Sequence, residues 1–239
     1  MNKILSSDPH SFPDHAYDEA SYLADHRLLY GKLVSLIEHS GVRKILDIGA
    51  GTGLLYSLLP DRDAYELHAV DIVDDFVSLM SERGIHAVKR DIEHEALPFP
   101  DDNFDAIVFT GMLEHTLDPL RAVGEIARVL KRDGLLILST PNALSLSQRW
   151  NHLRGRNPFW PLIDNIISGR GYLRRCSVFY SEPDIRHILK EKFTVKESGY
   201  VDEDFYRGRK SSIVMKSLKL VGHFVPSFHE IVIVTARKR

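Results

Sequence analysis

The sequence predicts an α/β fold: a mostly parallel sheet with helices on both faces and one inserted lid. Three observations carry this. Short apolar runs of strand character alternate with segments of helical periodicity, the pattern of right-handed βαβ units. A glycine-rich loop follows the first of these runs at once. Finally, 239 residues that are 44% hydrophobic and 27% charged can fill the core of one large domain, which excludes collagen-like, low-complexity and disordered chains.

The elements follow in chain order. Residues 17–39 place Leu28, Leu29, Leu33, Leu36 and Ile37 at helical spacing, and Gly41 stops the helix. Lys44-Ile45-Leu46-Asp47-Ile48 reads as a buried strand, followed by Gly49-Ala50-Gly51-Thr52-Gly53 and a short helix over 54–59 that ends at Pro60. Residues 67–71 form a second strand, 76–83 a helix ended by Gly84, and 87–90 a third strand. A turn-rich loop, 97–103, leads to a fourth strand over 106–110. Asp118 then caps a helix with Pro119 in its first turn, where proline is tolerated. That helix reaches Leu130, and a fifth strand, 135–140, closes at Pro141-Asn142. Beyond it, 143–175 reads as irregular, basic and aromatic. Ser181-Glu182-Pro183-Asp184 starts a helix running to about residue 192, and two more strands lie at 193–195 and 230–234. The expected organisation is a single domain over 1–239. It has an amino-terminal helical cap at 16–40, a lid insertion at 143–180 and an amphipathic insertion at 207–228 before the last strand.

One cysteine, Cys176, excludes an internal disulfide framework and any multi-cysteine metal site, and suits a reducing compartment. No apolar run approaches the ~20 residues of a membrane span, and the first fifteen residues lack the apolar stretch of a secretory signal. The expectation is a soluble, cytoplasmic protein. The formal charge of −2 hides an asymmetry: residues 1–141 carry 13 Lys and Arg against 24 Asp and Glu, residues 142–239 carry 18 against 9. A basic second part suits an anionic partner, phosphate, nucleic acid or acidic lipid, or is simply a solvated face.

The glycine loop lies at a strand-to-helix switch, where backbone amides can face a ligand. Asp71, at the end of the second strand and 20 residues past Gly51, can accept both hydroxyls of a ribose. A nicotinamide dinucleotide uses the same geometry, but its pattern is G-x-G-x-x-G, and here Leu54 and Leu55 follow G-x-G-x-G. Asp47, inside the first strand, is a second distinction. A buried carboxylate needs a cation or donors, which an amino acid ammonium supplies and a pyrophosphate does not.

Residues 45–140 resemble the class I S-adenosylmethionine-dependent methyltransferases, of the type found in quinone biosynthesis. The resemblance rests on Ile45-Leu46-Asp47-Ile48-Gly49-Ala50-Gly51-Thr52-Gly53, Asp71, Asp91-Ile92, Phe104-Asp105-Ala106-Ile107-Val108, Met112-Leu113-Glu114-His115 with Asp118-Pro119, and Leu130 through Leu136. It implies a Rossmann-like seven-stranded, mostly parallel sheet with the last strand antiparallel. It also implies S-adenosylmethionine as cofactor, S-adenosylhomocysteine as product, and no metal. Gly49, Ala50, Gly51 and Gly53 would line the methionine portion, with Asp47 supporting its ammonium. Asp71, with the adjoining Ile72, would serve the ribose. Asp91 would accept from the adenine amino group while Ile92 donates its amide to the ring, and Thr110 would contact methionine or ribose. Arg27 resembles an arginine that meets the cofactor carboxylate, with a solvated helix residue as the alternative.

An oxygen acceptor needs a base unless its proton leaves early. His115, just past the fourth strand, is the candidate, with packing at a helix start as the alternative; His229 and Tyr22 are weaker choices. Around the acceptor, residues 149–175 carry six arginines against Asp164 alone, together with Trp150 and Trp160. Tyr22, Trp150, Trp160, Arg174 and Arg175 are the acceptor-contact candidates, suited to an anionic, lipid-linked or aromatic small molecule. Related enzymes often carry a His and an Arg before the Tyr-Thr leading the next helix, where this chain has Cys176-Ser177-Val178-Phe179-Tyr180-Ser181. Asn142-Ala143 lacks the N-P-P-[YF] tetrad of DNA adenine methyltransferases, so nucleic acid is not expected, while peripheral membrane contact and oligomeric state stay open. A non-catalytic cofactor-binding scaffold and an NAD-dependent reductase are the competing functions.

Overall fold

The computed structural model describes residues 19–155, 178–202 and 225–239. Expectations that fall on 1–18, 156–177 and 203–224 therefore lie outside the described residues, including Trp160, Arg174, Arg175, Cys176 and most of the 207–228 insertion.

Two short helices open the described chain, α1 (Glu19–Asp25) and α2 (Arg27–Glu38). The single helix expected over 17–39 is thus divided at His26, whose ring stacks on Tyr22 with centroids 4.0 Å apart. Five strands follow in parallel: β1 (Lys44–Ile48), β2 (Glu66–Asp71), β3 (His86–Lys89), β4 (Phe104–Thr110) and β5 (Leu130–Pro141). Between them lie α3 (Leu54–Ser57), α4 (Asp74–Glu82) and α5 (Pro119–Val129). The Asp118 side chain caps α5 by accepting from Arg121 N–H at 3.0 Å, as the Asp-Pro pair predicts. After β5 come α6 (Leu146–Leu153), α7 (Glu182–Leu189), β6 (Phe193–Val201) and β7 (Ile231–Lys238).

The strand order is β3-β2-β1-β4-β5-β7-β6 in one seven-stranded sheet, with β7 antiparallel to both its neighbours. Strand residues alternate between two buried cores, one on each face. Leu46, Ile48, Ile107, Phe109, Leu136 and Val234 pack with α5 and α7 on one side. Ile45, Ala69, Val108, Ile137 and Ile233 pack with α2, Tyr56 and Met80 on the other.

The irregular stretch expected over 143–175 needs correction at its start. Residues Leu146–Leu153 form α6, capped by the Ser145 hydroxyl, which accepts from Gln148 N–H at 3.4 Å. Trp150, Asn151 and His152 have modest helix propensity, so composition gave no sign of it. The start is fixed by the Ser cap and by burial of Leu146, Ser147 and Gln148. Strand β6 is likewise longer than the expected 193–195, because its polar residues Lys196, Glu197 and Ser198 sit on a sheet edge, where charge is tolerated.

Candidate functional site

Chain order reverses between β1 and β4, and in an open sheet the crevice beyond the carboxyl ends of the strands at such a point receives ligands. The glycine loop lies there. Gly49, Gly51 and Gly53 all have left-handed φ, +75°, +57° and +76°, a conformation that favours residues without a Cβ. Their surroundings differ. A Cβ at Gly49 would lie 2.2 Å from Met112 Sδ and one at Gly53 would lie 2.7 Å from Ile85 Cδ1, but one at Gly51 would meet nothing within 4 Å. Gly51 is therefore where the loop presents bare backbone to open space.

Two carboxylates flank the loop. Asp71, at the end of β2, accepts from Gly51 N–H at 2.8 Å through Oδ2 and from Val73 N–H at 3.0 Å through Oδ1. It thereby fixes the loop and the chain around Ile72. Asp47 projects from β1 and is 4% exposed. Burial, with the Asp71 charge adding to it, pushes its pKa up to about 7, and nothing among the described residues offsets this. A carboxylate buried in this way is stabilised in its charged form by a cation or by hydrogen-bond donors. This donor-poor acid, the open Gly51 cradle and Asp71 together fit an amino acid ammonium joined to a ribose, the two ends of S-adenosylmethionine.

The remaining candidates are distributed as follows. Asp91 follows β3 and accepts from Glu93 N–H at 2.9 Å, with His94 Nδ1 at 2.8 Å from its other oxygen. Ile92 is buried, and its carbonyl accepts from the Arg121 guanidinium at 2.5 Å. Thr110 ends β4 opposite Ser139 of β5. His115 is half-buried on the 3-10 turn Leu113–His115 directly after β4. Arg27 is exposed in the first turn of α2, near the Tyr22–His26 stack. Trp150 is half-buried on α6, with the Arg154 guanidinium 5.9 Å from its ring centroid. His229 has Nδ1 2.8 Å from Pro226 O. Among the described residues, no group of three or more His, Cys, Asp or Glu is arranged to hold a metal.

Sequence reasoning missed a buried polar network at the carboxyl end of β5. Glu114 is 3% exposed and accepts from the Thr140 hydroxyl at 2.8 Å. Glu230 is buried and accepts from the Ser147 hydroxyl at 2.7 Å, with Ser145 Oγ a further 3.0 Å away. Asn142 donates through Nδ2 to the Ser227 and His229 carbonyls, each at 2.9 Å. Burial raises the Tyr180 phenol above its ordinary pKa, and the Glu114 charge adds to that. Each residue alone reads as a solvated turn residue; only the fold brings them together.

A second missed residue is Arg83, which directly follows α4. It donates to Glu19 at 2.8 and 3.0 Å and to the Thr52 carbonyl at 2.9 Å, joining α1 to the glycine loop.

Comparison with known proteins agrees with this geometry. Residues 46–138 match the family described as a methyltransferase domain. The methyltransferase YcgJ of Bacillus subtilis is 36% identical over 137 residues, 54% of this chain and 54% of its own. A ubiquinone biosynthesis O-methyltransferase of Xylella fastidiosa is 36% identical over 119 residues, 46% of this chain and 45% of its own. The chain thus spans about half the length of the curated relatives it matches. Among solved structures, an S-adenosylmethionine-dependent methyltransferase from Thermotoga maritima superposes with a TM-score of 0.59 at 18% identity, over 92% of this chain and 94% of that one. A likeness at that identity speaks to the fold. No helix among the described residues is long and apolar enough to cross a membrane. By strand order, loop and family match together, residues 46–138 form a methyltransferase domain similar to those of the class I S-adenosylmethionine-dependent methyltransferases, whose cofactor is S-adenosylmethionine and whose spent cofactor is S-adenosylhomocysteine.

Proposed function

We propose that the protein transfers a methyl group from S-adenosylmethionine to an oxygen of a small, anionic or aromatic acceptor. The observation that carries the cofactor half is the pairing of bare backbone at Gly51 with the buried, uncompensated Asp47. When bound, the cofactor supplies a methyl group on a positive sulfonium, open to in-line displacement. The chain then has to bind, align and exclude water. Asp47 receives the ammonium, Asp71 the ribose hydroxyls, Asp91 and the Ile92 amide the adenine, and Thr110 lines the passage between them. Glu114, held by Thr140, positions the turn that carries His115, the group we assign to accept the acceptor's proton.

The acceptor half is supported by two things. The ubiquinone O-methyltransferase relative acts on oxygen by its name. The sequence places six arginines and both tryptophans within 149–175, an acceptor lid that would favour negative charge and a flat ring. Of these, Arg149 and Arg154 are described, and both are exposed on α6 or just after it.

The test has two stages. Calorimetry with S-adenosylhomocysteine should give micromolar binding; its absence removes the cofactor reading. Incubation with S-adenosylmethionine and a panel of phenols, quinone precursors and lipid-linked sugars should add one methyl mass to an acidic member. Binding without turnover on any acceptor would favour the scaffold reading instead.

A further inference from the structure

Three left-handed glycines within 49–53 leave the loop many accessible backbone conformations, so its neighbours have to impose its shape. Part of that shape comes from the loop itself and from β2. Gly49 and Ala50 N–H donate to the Val70 carbonyl at 2.8 and 3.3 Å, and Gly53 N–H donates to the Ala50 carbonyl at 3.0 Å. Gly51 N–H donates to the Asp71 carboxylate at 2.8 Å. A further restraint comes from outside this set. The Thr52 carbonyl, between the last two glycines, accepts from Arg83 Nη1 at 2.9 Å.

The backbone of Arg83 is itself fixed. Its N–H closes the end of α4 on the Leu79 and Met80 carbonyls, each at 3.1 Å, and its carbonyl accepts from the Arg62 guanidinium. From there the side chain also reaches α1. Nη1 donates to Glu19 Oε1 at 2.8 Å and Nη2 to Glu19 Oε2 at 3.0 Å, a two-pronged match that holds the Glu19 carboxyl below its ordinary pKa against the effect of burial. One guanidinium therefore grips the glycine loop and α1 at once. Helix α1 has seven residues and none of them is buried, so surface contacts, the Glu19 pair among them, set its place. It carries Tyr22 and leads directly to Arg27, the two candidates for acceptor and cofactor contact that precede β1.

We propose that Arg83 is a positioning residue that makes the docking of α1 and the cofactor-binding shape of the glycine loop one linked equilibrium. It acts through the Thr52 carbonyl, and the role rests on the placement of the cofactor on this loop proposed above. A ligand that fixes the loop then favours docked α1, and docked α1 favours the ligand by the same factor. The Arg83 and Glu19 side chains are 27% and 31% exposed, so solvent screens the pair and the linkage is severalfold rather than thousandfold.

Hydrogen exchange and calorimetry on the full chain, with and without S-adenosylhomocysteine, test it together. In the wild type, ligand should slow amide exchange in Glu19–Asp25 by about fivefold. Arg83→Met keeps an unbranched apolar stem and removes the donors. It should bind S-adenosylhomocysteine about fivefold more weakly, and ligand should no longer slow exchange in α1. Glu19→Gln leaves the bond from Arg83 to Thr52 in place and keeps the proposal testable if Arg83→Met does not fold. It should speed α1 exchange in the ligand-free protein and weaken binding by about two- to threefold. A purely structural Arg83 would instead lower the melting temperature while leaving affinity within about twofold and the α1 response intact. That result overturns the proposal, as does wild-type α1 exchange indifferent to bound ligand, or wild-type α1 exchange in Glu19→Gln. Absence of ligand binding by the wild-type protein would remove the cofactor reading itself, and the linkage with it.

Discussion

Asp47 and Asp71 sit on neighbouring strands, yet the structure uses them oppositely. Asp71 is satisfied by backbone amides, while Asp47 is buried with an elevated pKa of about 7. An acid whose folded pKa exceeds its unfolded value binds an extra proton in the native state between the two. Its ionisation therefore lowers stability as pH rises through that window, from near 4 to about 7. Asp47→Asn should thus raise the melting temperature of the ligand-free protein at about pH 8 and change it little at about pH 4, with a ceiling of about 4 kcal/mol. The same variant should bind S-adenosylhomocysteine at least about tenfold more weakly, because the ammonium loses its counter-charge. In the wild type, affinity should fall as pH drops below about 7, since only the ionised carboxylate can pair; calorimetry across pH checks both. Asp71→Ala should behave differently, losing stability and affinity together, with about 1.5–3 kcal/mol of binding removed. If it leaves affinity unchanged in a folded variant, Asp71 does not hold the ribose.

At the level of elements, the glycine loop separates conformational need from ligand need. All three glycines are left-handed, so alanine at any of them costs about 1 kcal/mol in backbone strain. Gly49→Ala adds a collision with Met112 and Gly53→Ala one with Ile85 and Met80, so both should lower the melting temperature more than Gly51→Ala does. Gly51→Val meets no neighbour in the chain and should fold, yet it should abolish cofactor binding by filling the cradle; normal binding would show that the ligand lies elsewhere. These elements were legible in the sequence because their signals are local: a strand, three glycines and an acid 20 positions on. The polar network beyond the end of β5 was not. Ser147 meets Glu230 across 83 positions and Thr140 meets Glu114 across 26, so no window of sequence contains either pair. Helix α6 was hidden for a related reason. Its propensity is weak, and it is held by burying Leu146, Ser147 and Gln148 against the strand ends rather than by its own periodicity.

For the whole molecule, the sheet makes the cofactor site depend on a strand that never touches it. The proposed cofactor residues of the sheet and its loops lie within β1 to β4, but the last strand in sequence, β7, is inserted between β5 and β6. It pairs with β5 over Ile231 to Arg237 and with β6 over Ile231 to Lys238, so its removal leaves β6 without a neighbour and turns β5, still paired with β4, into a bare edge. Its Ile231, Val232, Ile233 and Val234 are each 4% exposed or less, alternating between the two cores. Burial of four such side chains contributes about 6–12 kcal/mol before the entropy of ordering them. A domain of this size is stable by only about 5–15 kcal/mol in total, so the core cannot absorb that loss. A chain truncated after Phe228 should therefore show no cooperative thermal transition and no S-adenosylhomocysteine binding, although the loop, Asp47, Asp71 and Asp91 are all retained. The single change Val234→Asp should act in the same direction, since it buries a charge in the core beside Leu138 of β5 without a partner. A truncated protein that unfolds cooperatively and still binds the ligand would show instead that β1 to β5 form a stable unit, with β6 and β7 an addition to it.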